Sequence, residues 1–393
     1  MDGCLEAFND KDPHSASWYD WKWQFKNRIT TIEELEKVIQ LSEKEKQDIS
    51  KCLNIFRMAI TPYYASLMDP VNSMCPIRMQ AVPTINETYV LPYEMADPLD
   101  EERDSPVKNI VHRYPDRVLF LVTHMCAMYC RHCTRRRTVG EEDSFITEAE
   151  IDDAVNYIAQ KPEIRDVLIS GGDPLTMSDN RLEKIISKLR KIDHVEVIRI
   201  GTRVPVVMPM RITPELIRML KKYQPIWINT HFNHPQELTP DSIKACEDII
   251  DAGIPLGNQS VLLRNINDNS ETMKELLLKL VKARIRPYYL YQCDLSQGLG
   301  HFRTKVDTGI EIIQNLTGTI SGYAVPKFVI DAPHGGGKVP INPDYIISKD
   351  DKEIVMINYK GKIYTYPQPI IKEELESGND KSRIIENIEY TDY

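Results

Sequence analysis

No apolar run in this sequence is longer than a β-strand. Val118 to Val122 is among the longest, far short of the roughly 20 residues of a membrane helix. A basic-then-apolar leader is also missing, since the chain opens Met-Asp-Gly-Cys-Leu-Glu-Ala-Phe, so the expected location is the cytoplasm. There is no excess of positive charge. Against 49 Lys and Arg stand 58 Asp and Glu, a net charge of −9 whose field repels nucleic acid and anionic lipid. Low-complexity tracts are absent. Cysteine is present but mostly scattered: of Cys4, Cys52, Cys75, Cys126, Cys130, Cys133, Cys246 and Cys293 only three cluster. That distribution excludes a disulfide framework and fits a reduced compartment.

What is present is an ordinary globular composition, 42% hydrophobic and 27% charged, over 393 residues. Residues 1 to 110 read as an N-terminal helical region. Thr31-Ile-Glu-Glu34 and Ser42-Glu-Lys-Glu45 match the capping box that opens a helix, the second helix being expected to run to about Ile60, before Thr61-Pro62. From 111 to 340 short β-branched runs recur: Val118–Thr123, Asp166–Ser170, Val195–Ile200, Ile226–Thr230, Leu256–Leu263, Arg286–Tyr291 and Lys327–Ile330. None alternates with period two, as expected for parallel strands covered on both faces. Helix starts lie between them at Thr147-Glu-Ala-Glu150, Thr213-Pro-Glu and Thr239-Pro-Asp. The expected fold is α/β, a partial (β/α) TIM-like barrel, with a doubly wound open sheet as the alternative. Residues 341 to 393 form a C-terminal extension, with a hairpin about Lys360-Gly361 and a charged tail beyond Ile371.

Polar residues fall at one end of successive runs. Cys126 follows the first and Ser170-Gly171-Gly172-Asp173 the second; His231 follows the fourth and Gln259 lies in the fifth. Asp294 follows the sixth, and Asp331 with Lys338 the last. Strand C-termini of a parallel barrel open onto one face, so these groups are expected to converge there.

The three clustered cysteines have the spacing C-x₃-C-x₂-C. A structural zinc site takes four ligands, commonly in pairs. Three thiolates suit an iron–sulfur cluster better, and would leave one iron of a [4Fe-4S] cube free to bind a small molecule through amino and carboxylate groups. S-adenosylmethionine is such a ligand.

With Ser170-Gly-Gly-Asp-Pro174 behind it, the cysteine loop resembles that of the radical S-adenosylmethionine superfamily. The match narrows through six further stretches: Trp18-Tyr-Asp-Trp-Lys-Trp-Gln24, Tyr129-Cys-Arg-His-Cys-Thr-Arg-Arg-Arg137, Thr230-His-Phe-Asn-His-Pro235, Pro255-Leu-Gly-Asn-Gln-Ser-Val-Leu-Leu263, Tyr288-Tyr-Leu-Tyr-Gln-Cys-Asp294 and Asp331-Ala-Pro-His-Gly-Gly-Gly-Lys338. In these the chain, to about residue 367, is similar to the lysine 2,3-aminomutase family. That resemblance implies an isomerase that moves an amino group between neighbouring carbons of lysine, giving β-lysine. It implies Cys126, Cys130 and Cys133 as cluster ligands, with Ser170, Gly171, Gly172, Asp173, His231 and Gln259 about S-adenosylmethionine. Lys338 would hold pyridoxal 5′-phosphate, with Arg113, Tyr114 and Arg117 near its phosphate and Tyr291 near its ring. Arg135 would clamp the substrate carboxylate, while Asp294 and Asp331 receive a distal ammonium. Arginine, also cationic at its far end, fits the same two carboxylates. A glutamate mutase would need a basic or amide group there, and a pyridoxal-independent enzyme would not use Lys338.

The resemblance further implies an electron donor such as ferredoxin or flavodoxin, and a homo-oligomer. One departure concerns the subunit-bridging zinc that family members commonly carry. Asn269 stands where one of its cysteines would fall, and no cysteine occurs after Cys293. No structural zinc is expected, and hence a different oligomer contact. His334 stands where relatives often have glycine.

Overall fold

In the computed structural model the described residues are 17–139 and 145–369. They fall in two compact units, the first ending at Asn342 and the second beginning at Pro343. The charged tail beyond Ile371 lies outside the described residues.

All seven expected runs form strands of one sheet. They are β2 (Arg117–Thr123), β3 (Asp166–Gly171), β4 (Val197–Gly201), β5 (Ile226–Thr230), β6 (Leu256–Leu262), β7 (Arg286–Gln292) and β8 (Lys327–Ala332), preceded by β1 (Ile110–Tyr114) and followed by β9 (Gly337–Pro340). The strand order is sequential from β1 to β9, with β2 to β8 parallel and both edge strands antiparallel. A doubly wound sheet would reverse its order at a switch point. Sequential order instead curls the sheet one way, giving a nearly closed barrel with helices between consecutive strands.

Local sequence sets those helices. Thr147 caps helix Glu148–Ala159 with a full capping box, and Thr213 and Thr239 cap helices Pro214–Lys221 and Pro240–Asp251 ahead of proline at the first position. Along the strands burial does alternate. Val118, Phe120 and Val122, Val167 and Ile169, and Ile198 and Ile200 are fully buried, each contributing about 1.5–3 kcal/mol. The intervening, half-buried positions include Ser170, Gln259 and Tyr291. One face therefore packs in the core while the other carries polar chemistry.

Three features depart from expectation. The helix opened by Ser42 spans Glu43–Leu53 and stops before Ile60; Ile60 instead pairs with Ile29 in an isolated bridge. Strand β1 holds only two buried apolar residues, and β9 has a buried glycine followed by three exposed residues. Such segments carry no strand signal of their own, and their backbone groups are satisfied only by pairing at the sheet's two edges. In the second unit β10 (Ile346–Lys349), β11 (Glu353–Ile357) and β12 (Ile363–Pro367) make an antiparallel sheet, with the hairpin turn placed as expected between Ile357 and Ile363. Among the described residues no helix is long and apolar enough to cross a membrane.

Candidate active site

Cys126, Cys130 and Cys133 lie half-buried on the loop leaving β2. The N-terminal region holds that loop from behind: Tyr129 N–H donates to Ala59 O (3.0 Å), Arg131 N–H to Gln80 O (2.9 Å) and Arg28 Nη1 to Cys126 O (2.5 Å). Burial pushes the Cys126 thiol well up, helped by Asp173 and the other two cysteines, and pushes Cys133 up to about 11. Cys126 and Cys133 are therefore disfavoured as thiolates unless a cation accompanies them.

The glycines of Ser170-Gly171-Gly172-Asp173 are needed for a reason the sequence did not reveal. A Cβ at Gly172 would lie 2.1 Å from Met125 O, and one at Gly171, where φ is +126°, would lie 2.4 Å from Thr123 O. The close approach is to the backbone that carries the cysteines. Gly172 N–H and Asp173 N–H donate to these same carbonyls, at 2.5 and 2.7 Å. Two strand ends are thus laced together.

Asp173, expected about S-adenosylmethionine, is engaged by the chain itself. Its buried carboxylate accepts from Thr202 Oγ1 (2.7 Å), Arg203 N–H (2.7 Å) and Leu175 N–H (3.0 Å), which ties the β3 loop to the end of β4. With both oxygens engaged by the chain, it acts as a positioning residue. His231, just beyond β5, is half-buried, and its Nε2, shielded from solvent, has no hydrogen-bond partner. Burial first, then Arg203, lowers its pKa to about 3, so the imidazole is neutral. Its ring centroid is 5.4 Å from that of His132. Gln259 Oε1 accepts from the Tyr291 hydroxyl at 3.3 Å, which joins β6 to β7.

The last strands carry the charged end of the site. Asp331 and Lys338 are register partners across β8 and β9, and Lys338 Nζ lies 3.0 Å from Asp331 Oδ1 and 5.3 Å from the centre of the Tyr291 ring. Asp294 is nearby. Burial, then the negative charge of Asp331, pushes its pKa up to about 7, and Lys338 acts against them. Asp294 thus feels the like charges of Asp331 and Glu101 against the opposite charges of Lys338 and Arg135.

Among the expected anion-binding groups, Tyr114 reaches the lysine. Its hydroxyl accepts Lys338 N–H at 2.9 Å, and Arg117 stacks on its ring at 4.0 Å while pairing with Asp116. Arg113 is held by Asp104 at 2.8 Å. That carboxylate also meets Arg103, whose Nη2 donates to His334 O at 3.1 Å. His334 has φ +57°, a left-handed backbone that explains why glycine suits this position. Arg135 forms a bidentate pair with Glu101, with contacts of 2.6 to 3.1 Å. Its neighbours Arg136 and Arg137 pair with Glu87 and with Asp97 and Glu102, so this basic run is not a solvated turn.

Glu101, Asp104 and Arg203 were not read from the sequence. Arg203 had a signal: it follows β4, the only internal strand whose end had been assigned no candidate.

A sequentially ordered partial barrel with a three-cysteine loop after its first parallel strand defines the radical S-adenosylmethionine class, and the model of that superfamily matches residues 120–277. A model described as lysine-2,3-aminomutase matches residues 313–391. The chain is 57% identical over 360 residues to L-lysine 2,3-aminomutase of Clostridium subterminale, covering 92% of this chain and 86% of that protein. To the L-lysine 2,3-aminomutase of Fusobacterium nucleatum it is 59% identical, covering 90% and 83%. Glutamate 2,3-aminomutase of Clostridioides difficile is 46% identical over 368 residues, covering 94% of this chain and 85% of that protein. The chain belongs to the lysine 2,3-aminomutase family. Asn269, where a bridging cysteine was looked for, caps helix Ser270–Lys282 by accepting Thr272 N–H at 2.9 Å.

Proposed function

We propose that this protein converts L-lysine to β-lysine using a [4Fe-4S] cluster, S-adenosylmethionine and pyridoxal 5′-phosphate. The observation that carries the lysine assignment is the carboxylate pair: Asp294 is pushed up to about 7 by burial and Asp331, against the opposing charges of Lys338 and, more weakly, Arg135. Such a pair resists joint ionisation until a cation neutralises it. A distal ammonium satisfies it; a distal carboxylate, as in glutamate, is repelled.

The residues present fit these groups. Three half-buried thiols on one loop, of which Cys126 and Cys133 are disfavoured as bare anions, suit an iron centre. The unpartnered, neutral His231 Nε2 and the polar Gln259 suit a polar ligand such as S-adenosylmethionine beside it. Lys338, set over the Tyr291 ring and next to the Tyr114 hydroxyl, suits pyridoxal phosphate, with Arg113, Tyr114 and Arg117 as the phosphate-binding side. When bound, the cluster with S-adenosylmethionine supplies radical hydrogen abstraction at carbon, and pyridoxal phosphate supplies a π-system through which nitrogen passes between neighbouring carbons.

The chain's own part is charge placement and orientation. Arg135, held planar by Glu101, presents its remaining donors to the substrate carboxylate. Lys338 would hold the cofactor, and the substrate ammonium would then be the cation that Asp331 and Asp294 receive. Fixing lysine at both ends aligns its reacting carbons, and the barrel wall excludes water and oxygen.

The test is anaerobic reconstitution with iron, sulfide and pyridoxal phosphate, then assay with lysine, arginine and glutamate, products being identified by NMR. Turnover of lysine above the other two is expected. Preferential turnover of arginine or glutamate would overturn the substrate assignment, and turnover without pyridoxal phosphate would overturn the role of Lys338.

A further inference from the structure

Arg203 is buried at the end of β4, and each of its guanidinium nitrogens has a partner. Nη2 donates to Glu237 Oε1 (2.8 Å) and to Gln80 Oε1 (2.6 Å), Nε donates to His231 O (3.2 Å), and Nη1 donates to Cys130 Sγ (2.7 Å). Its backbone N–H is held by Asp173, and its guanidinium carbon lies 5.7 Å from the centre of the Tyr64 ring. With its N–H, guanidinium and aromatic face all engaged, the side chain is fixed in place. An ion pair with Glu237 alone would account for its burial. It does not account for the donor aimed at sulfur, which reaches one of the three clustered thiols and singles out Cys130.

From this geometry we infer that Arg203 is a positioning residue that raises the reduction potential of the cluster through Cys130. The inference rests on the reading of Cys126, Cys130 and Cys133 as cluster ligands. One-electron reduction adds negative charge to iron and its sulfurs; no bond breaks, no proton moves, and the electron comes from an external low-potential donor. A hydrogen bond and a positive charge at a ligand sulfur stabilise the more negative, reduced form. Glu237, on the far side of the guanidinium, offsets part of that charge. Arg203 and Glu237 therefore pull the potential in opposite directions, Arg203 up and Glu237 down.

The experiment is a potentiometric titration of the reconstituted cluster, followed by electron paramagnetic resonance without S-adenosylmethionine, in the full chain and in Arg203→Gln and Glu237→Gln. In Arg203→Gln the ratio of reduced to oxidised cluster at a fixed potential falls about tenfold, a shift of about 59 mV to lower potential for one electron. In Glu237→Gln, where Arg203 remains but its counter-charge is gone, the potential rises. A structural role alone would not give shifts of opposite sign. An Arg203→Gln cluster at the unaltered potential overturns the inference. If that variant assembles no cluster, Glu237→Gln decides: an unchanged or lower potential overturns it, and a higher one supports it. Failure of the unsubstituted chain to take up iron and sulfide would overturn the cluster reading itself, an outcome distinct from a cluster whose potential does not respond.

Discussion

Lys338 and Asp331 face each other across the antiparallel pair β8–β9, with Nζ 3.0 Å from Oδ1, and Asp331 in turn raises the pKa of Asp294. The lysine read as the cofactor anchor and the aspartates read as the substrate's ammonium site thus form one electrostatic unit. A cation at the carboxylates is required whether it comes from the chain or from the substrate.

Asp331→Ala is expected to remove most lysine turnover. The Asp331 side chain is itself only 7% exposed, and removing the carboxylate that receives the substrate ammonium costs about 2–5 kcal/mol, roughly thirtyfold to several-thousandfold in kcat/KM. Steady-state assay of the reconstituted variant measures it. Retention of unsubstituted kcat/KM for lysine would show that the distal ammonium lies elsewhere.

Asp294 predicts a pH dependence of stability in the cofactor-free protein. Its folded pKa, about 7, is raised above the ordinary 3.8, so between these values the folded state holds a proton that the unfolded chain releases. Stability should therefore fall as pH rises from about 4 through about 7, by on the order of 4 kcal/mol at most. Asp294→Asn should flatten that decline, as urea melts at pH 5 and pH 8 would reveal. Equal losses in the two proteins would exclude Asp294 as the source.

Glu101→Gln tests the alignment of Arg135. Burial works against the Glu101 carboxylate, yet Arg135, Arg137 and Arg113 hold it below the usual range, so it is charged and grips the guanidinium. Neutralising it frees Arg135 to turn. KM for lysine should rise about tenfold, a loss of about 1.4 kcal/mol, with a smaller change in kcat. A drop confined to kcat would point to some other role.

Gly172→Ala should damage cluster assembly more than it perturbs the barrel. The added Cβ would fall 2.1 Å from Met125 O, and a backbone carbonyl cannot turn aside as a side-chain tip can. A cost of about 3 kcal/mol is expected, with iron content after reconstitution well below that of the unsubstituted protein. A variant that binds a full complement of iron would mean that the two loops tolerate separation.

Much of this was legible in the chain itself. The runs from Val118 to Ile330 are apolar and β-branched enough to be parallel strands, so the seven strands follow, and with them the placement of Cys126, His231 and Asp294 just beyond strand C-termini and of Lys338 on the strand after β8. Where a segment lacked local signal the reading failed: β1 and β9 exist because an edge was there to pair with, and the helix from Glu43 ends at Leu53, with Ile60 in a bridge to Ile29 instead.

Residue type, spacing and periodicity determined which groups this protein brings to the mouth of its barrel, because strand propensity and capping are properties of neighbours along the chain. Only the tertiary structure decided who pairs with whom. Arg135 is held by Glu101, Asp173 is spent on the β4 loop, the glycines at 171 and 172 make room for a cysteine-bearing backbone, and Arg203 reaches Cys130. These partners are tens of residues apart in sequence. Charge pairing and close contact depend on distance in space, which no local pattern encodes.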